Sequence, residues 1–483
     1  MIFCSFSSSF VIPFLLTLAT ILVVTLLIIL KQKLSKTAAV SNLPPGPWKL
    51  PIIGNIHQMA GDQPHRRLRD LARKYGPDVM SLQLGELSYI VISTPEAAKP
   101  ADILSYGFKD IVLAPYGEHW RQMRKICTLE LLSAKRVQSF RHIREEEVSN
   151  LVDSLTAASG EPVDLTRMLS TVTSSITSRA AFGKAQELTD AFMVVIENIS
   201  DLLPALTGFK AKLEKMRKAS DSVLDQVIED HKSRRRAGRN GDGEKEDLVD
   251  VLLNLQEKQN LGVPITTEVI KAITSEMFLA GIETSTTVME WVMSAMINDS
   301  RVLQKAQQEV RQVYGGDDGK NHFGEAKLDQ LKYLDMVIAE SLRLHPPLPL
   351  LIPRENRDKN VSFGSYEVSV NTNVIVNAWA INRDPRYWTE AERFFPERFV
   401  DCPIDYTSTD LQFIPFGAGR RMCPGVSFGM KIVKLTLASL IFHFDWKLPA
   451  GQKNINMTGC FRATLRRQYA LHLIPITYGR VLP

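Results

Sequence analysis

The stretch Phe413 to Gly425 reads F-I-P-F-G-A-G-R-R-M-C-P-G, with one cysteine in a glycine-rich loop just before a helical pattern. Glycines let the backbone turn tightly and approach a ligand closely. Loop N–H groups and the N-terminus of the following helix favour a thiolate at Cys423. Arg421 adds a cation for an anionic group nearby. A dinucleotide fingerprint fails here, because its third glycine would fall on Met422. A zinc site fails for lack of a second Cys or His in the loop. A single thiolate ligand to haem iron satisfies all the features.

Two other groupings could do chemistry. Ala280-Gly281-Ile282-Glu283-Thr284 places Gly, Glu and Thr inside an apolar stretch, where they weaken a helix and leave polar groups to be satisfied. Glu340 and Arg343 stand at i and i+3, so on a helix their charges share one face.

These residues need elements to hold them. The spacing predicts helices over Arg66–Lys74, Gly117–Leu155, Met168–Ala181, Ala211–Lys232, Asp329–His345 and Leu435–Phe444. Thr267–Asn298 is the longest, capped by Thr266 and ~48 Å long at 1.5 Å per residue. Val79–Thr94 reads as two strands around Gly85-Glu86, and Val361–Val376 as a small sheet. Ser233–Asp247 reads as a solvated loop. The fold class is mainly α with a small β region.

Composition narrows the rest. The 483 residues are 45% hydrophobic and 23% charged, which excludes a globally disordered chain. With 58 basic against 53 acidic side chains, the net charge of +5 argues against a nucleic-acid binder. Five scattered cysteines without CxxC argue against a disulfide framework and fit a reducing compartment. Phe10 to Leu30 is a nearly all-apolar run of 21 residues, with Lys31, Lys33 and Lys36 after it. About 20 such residues span a bilayer, and the lysines keep the body cytosolic. Residues 1–30 are thus expected as one membrane anchor, 31–47 as a basic, proline-rich hinge, and 48–483 as one catalytic domain.

Phe416, Gly419, Arg421, Cys423 and Gly425 resemble the haem-binding signature of the cytochrome P450 superfamily, F-x-x-G-x-R-x-C-x-G. Glu340-Ser341-Leu342-Arg343 resembles the family's E-x-x-R, and Ala280-Gly281-x-Glu283-Thr284 its oxygen-activation motif. Trp120 and Arg124 resemble W-x-x-x-R, and Pro44-Pro45-Gly46-Pro47 the proline hinge of microsomal members. APYGEHWRQMRKICTLELLS and NAWAINRDP look like the plant class that hydroxylates terpenoids and other specialised metabolites.

The resemblance implies a haem-thiolate monooxygenase on the endoplasmic reticulum membrane, carrying haem b. Cys423 would be the axial iron ligand, with Phe416, Gly417 and Gly425 around it. Trp120, Arg124, Arg354 and Arg421 would hold the haem propionates, and Arg398 would complete a charged triad with Glu340 and Arg343. Thr284 and Glu283 would handle dioxygen and protons. Electrons would come from an NADPH-dependent flavoprotein reductase, docking near Arg420, Lys431 and Lys434. The substrate would be small and apolar, held by Met277, Ala280, Leu350, Ile352 and Phe461.

Two segments look shorter than in that plant class: the junction Lys99-Pro100, where a helix is missing, and Glu197 to Gly208. Both losses fall on the substrate side. They keep open a haem-binding pseudoenzyme, and a reductase-independent isomerase or dehydratase is the other alternative.

Overall fold

The structure is a computed structural model that describes residues 43–93, 111–183, 209–237, 246–258, 262–315, 323–356, 360–401, 406 and 410–479, a few isolated positions within them excepted. The expected anchor, most of the hinge and both shortened segments lie outside the described residues.

In chain order the main elements are α1 (Pro64–Tyr75), β1 (Val79–Leu84), β2 (Leu87–Ile92), α2 (Glu118–Ile126), α3 (Arg141–Ala157), β3 (Val163–Asp164), α4 (Leu165–Phe182), α5 (Phe209–Arg236) and α6 (Leu248–Lys258). There follow α7 (Thr267–Asn298), α8 (Ser300–Tyr314), α9 (Lys332–Leu344), β4 (Arg354–Glu355), β5 (Val361–Phe363), β6 (Tyr366–Val368), β7 (Asn373–Val376), α10 (Val426–His443), β8 (Phe444–Lys447), β9 (Gly459–Phe461), β10 (Leu465–Arg467) and β11 (His472–Thr477).

α7 spans the expected residues, and the Thr266 hydroxyl accepts the Val269 N–H as its cap. Its apolar residues run round most of the helix, so α7 sinks into the core against α4 and α10. Gly281 permits the close approach: a Cβ there would stand 3.3 Å from Thr177 Cγ2 on α4. α10 is longer than expected, beginning at Val426 directly behind the cysteine loop.

Four expectations need correction. The helical pattern over Gly117–Leu155 is broken into α2, a π-turn at Cys127–Leu131, a short helix at Ala134–Ser139, and α3. α5 runs on to Arg236, because Arg235 pairs with Asp250 and Glu257 and holds the last turn. Val361–Val376 is not one sheet. β5 and β6 form a hairpin, while β7 leaves it to pair in parallel with β2. The strands over Val163–Asp164 and Phe444–Thr477 were not anticipated. β3, β11 and β8 form one sheet and β9–β10 a hairpin, and only the β3–β11 pairing joins partners far apart in sequence.

Candidate active site

The cysteine loop is closed by the Cys423 N–H donating to the Phe416 carbonyl at 3.0 Å. Gly417 sits at φ +74°, a left-handed conformation that side chains resist, and the space beside it is open. Gly425 then caps α10. Cys423 Sγ faces a cavity of about 520 Å³. The thiol's surface is open to that cavity, yet the protein packed around it pushes its pKa up. The Gly425 N–H and the Arg124 charge pull the other way and do not prevail. The expected preference for thiolate is therefore not met by the loop alone. A metal ion bound at the sulfur would deprotonate it outright.

α7 forms the wall opposite. Ala280, Gly281, Thr284 and Ser285 line the cavity, together with Met277 and Glu276. Residues 276, 280 and 284 are spaced by four and share one helix face. Thr284 Oγ1 donates to the Ala280 carbonyl one turn back, at 2.6 Å. Glu283 is turned off this face. Its carboxylate accepts from Thr464 Oγ1 at 2.9 Å and stands 3.8 Å from the Arg466 guanidinium, on the β9–β10 hairpin. Thr464 also bonds Thr287, so Glu283 joins a polar row between α7 and that hairpin.

At the rim, Arg124, Arg354 and Arg421 all line the cavity. Trp120 stands behind them, buried, with its indole N–H on the Ile111 carbonyl at 3.0 Å and Arg421 stacked 4.4 Å from its ring. Arg421 donates to the carbonyls of Ile111, Val112 and Ala114, and Arg354 to that of Val112.

Behind the cysteine wall, Glu340, Arg343 and Arg398 come together without reaching the cavity. Glu340 accepts from Arg343 Nε at 2.7 Å, Arg343 Nη2 at 2.9 Å, Arg398 Nε at 2.9 Å and the Phe395 N–H at 2.8 Å. Arg343 also donates to the Asn382 and Ala391 carbonyls and lies 5.1 Å from the Trp388 ring, which meets Phe413 of the cysteine loop. The neighbouring Leu342 faces the cavity.

Other expected residues divide. Ile352 is on the wall; Leu350 and Phe461 are not among the described lining residues. Leu350 packs beside Met80 and Val91 instead, and Phe461 lies 6.0 Å from the His65 ring. Lys434 cannot serve as a surface docking charge, because it is buried and paired with Asp335 at 2.6 Å. Lys431 pairs with Asp329, while Arg420 is exposed beside the Tyr116 ring. Val112, Leu132, Thr177 and Ala181 were missed. Thr177 and Ala181 lie on α4 and are revealed only by its packing against α7, while Val112 and Leu132 reach the cavity from the segments before and after α2.

The residues present fit a haem. One thiol stands on one wall, three guanidinium groups line the rim for two carboxylates, and the remaining lining is mostly apolar. Such a cavity suits a flat apolar ring with anionic edges.

The sequence profile of the cytochrome P450 family matches residues 44–471. The chain is 45% identical to desmethyl-deoxy-podophyllotoxin synthase of Sinopodophyllum hexandrum, over 95% of this chain and 96% of that protein. It is 42% identical to premnaspirodiene oxygenase of Hyoscyamus muticus, covering 95% and 97%, and 42% identical to tabersonine 16-hydroxylase 1 of Catharanthus roseus, covering 94% and 96%. A zebra fish cytochrome P450 solved with progesterone superposes with a TM-score of 0.75 at 23% identity, covering 86% of this chain and 99% of that one, a likeness of fold.

Proposed function

Because the chain belongs to the cytochrome P450 family of haem-thiolate monooxygenases, we propose that it inserts one oxygen atom from O2 into a small apolar plant metabolite, drawing electrons from NADPH through a flavoprotein reductase. The observation that carries this reading is that Cys423 and Thr284 line one and the same cavity. Haem bound to Cys423 would supply the oxygen-activating chemistry.

The chain's own residues have separate tasks. Cys423 would hold the haem iron through its sulfur. Arg124, Arg354 and Arg421 would hold the haem carboxylates, Arg354 and Arg421 giving up loop carbonyls to do so, with Trp120 fixing Arg421 by stacking. Thr284 holds its proton on the Ala280 carbonyl and can turn it toward the cavity. Glu283 sits one residue behind and reaches the cavity only through a neighbour such as Thr284. The apolar lining excludes water and holds the substrate by surface burial. The apolar run Phe10–Leu30 anchors the body to the endoplasmic reticulum membrane, where the reductase docks beside Arg420.

Two measurements test this. The reduced carbon monoxide complex should show the thiolate band in the wild type and lose it in Cys423→Ala; a wild type without the band would overturn the assignment. With a substrate in hand, turnover should stop when NADPH and reductase are withheld. Unchanged turnover would favour a reductase-independent isomerase. Thr284→Ala should keep the band while lowering product formed per NADPH consumed about tenfold or more, within the usual range for losing a positioned proton donor.

A further inference from the structure

The geometry points to Glu276 as a substrate-positioning residue that selects molecules carrying a hydrogen-bond donor, a hydroxyl or a protonated amine, at one end of an apolar skeleton. This rests on the haem-monooxygenase reading and narrows its substrate class. Glu276 is the one carboxylate among the described residues lining the cavity, whose remaining surface is mostly apolar. Its Oε2 accepts the Ile111 N–H at 3.1 Å. That bond fixes the carboxylate at the wall and ties α7 to the loop bearing the Ile111, Val112 and Ala114 carbonyls. A carboxylate offers about four acceptor positions, so it can hold a loop N–H and a ligand donor together.

Its place on α7 sets a ruler. Glu276 and Thr284 share a face two turns apart, ~12 Å along the axis. A ligand donor on Glu276 therefore puts carbons about that far along the skeleton beside Thr284 and opposite Cys423. In an apolar cavity a bond to a charged acceptor is stronger than in water. Leaving the carboxylate against a ligand without a donor penalises that ligand, so the residue both attracts and rejects.

The test compares three probes with one skeleton: limonene, perillyl alcohol and its N,N-dimethylamine analogue, a tertiary amine crowded against iron ligation. Binding to the full-length protein is measured by equilibrium dialysis, with the carbon monoxide band recorded on the same preparation. Wild type should bind the alcohol and the amine about tenfold tighter than limonene. Glu276→Leu should erase both preferences and leave limonene binding unchanged or tighter. Glu276→Gln keeps an acceptor for the Ile111 N–H but not the charge. It should lose the amine preference about tenfold and the alcohol preference by less, which a merely structural tether would not do. If Glu276→Leu fails to fold, Glu276→Gln decides alone. Equal binding of all three probes by wild type with the band present overturns the assignment of Glu276 only, as does an amine preference that survives Glu276→Gln. A missing band in wild type overturns the haem reading on which the assignment stands.

Discussion

The carboxylates behind the cysteine wall and those along α7 are handled in opposite ways. Glu340 is fully buried and accepts from two guanidinium groups and a backbone N–H. Arg343, equally buried, spends its remaining donors on carbonyls. Along α7, Glu276, Glu283 and Glu290 are each set beside polar but mostly uncharged partners, or beside cations at longer range. Glu290 is buried, and that burial raises its pKa to about 7, with Thr166 and Arg467 offsetting it only in part. Full hydrogen-bond compensation holds Glu340 rigid. Burial without it leaves the Glu290 carboxyl free to change protonation near neutral pH. The first arrangement suits a frame for the cysteine loop, and the second suits a helix that handles ligands and protons.

The sharpest way to break this contrast is to remove Glu340. Glu340→Ala leaves Arg343 and Arg398 buried without an anion, and stability should fall by about 3–5 kcal/mol. Thermal unfolding and haem retention would show it. A loss under about 1 kcal/mol would mean the cluster is not the frame inferred here.

Glu290 should show its effect through pH. Its pKa in the folded state lies above its ordinary value of 4.5. The protonated side chain therefore contributes stability that is fully present below about pH 4.5 and is lost as pH rises through about 7. At 1.36 kcal/mol per unit, that contribution is about 3 kcal/mol. Glu290→Gln should flatten the fall in stability between pH 5 and pH 8, measured by denaturant unfolding at each pH. An unchanged slope would place Glu290 among the compensated carboxylates.

The smallest effect belongs to Gly281. Alanine there adds about 1 kcal/mol of helix propensity and meets Thr177 at 3.3 Å. Thr177 must give by a few tenths of an ångström, so Gly281→Ala should change stability by no more than about 1 kcal/mol. Its clearer effect would be to separate α4 from α7 and reduce ligand binding. A gain of stability with unaltered binding would show that the contact relaxes freely.

The frame and the wall also differ in how far they can be read from sequence. The cysteine loop, Thr284 and the Glu340–Arg343 pair occupy short segments whose residue types and spacing stand out in the sequence, and the fold places the first two on one cavity and pairs the third behind it. The ends of α7 were readable because Thr266 caps it and Pro264 precedes it. Leu350 was misplaced, because proximity in sequence to a wall residue does not say which way a side chain turns, and Phe461 lies on a hairpin whose described residues do not line the cavity. Lys434 was misread as a surface charge for the same reason: a lysine on an apolar helix looks exposed until Asp335 is found beneath it. The sheet of β3, β11 and β8 was invisible, since β3 lies hundreds of residues before the strand it pairs with.

Sequence alone determined the family, the cysteine loop, the long central helix and the apolar run at the start of the chain. All are local: a motif, a period or a composition carried within a few turns of backbone. Only the tertiary structure decided that Glu283 faces a hairpin while Glu276 faces the cavity, although both lie on the same helix. Seven residues at 100° each turn the two side chains about 20° short of two full circles, and no pattern in α7 says which neighbour fills that narrow gap. The packing of α4, the β9–β10 hairpin and the Ile111 loop around α7 sets it, and those neighbours arrive from distant parts of the chain.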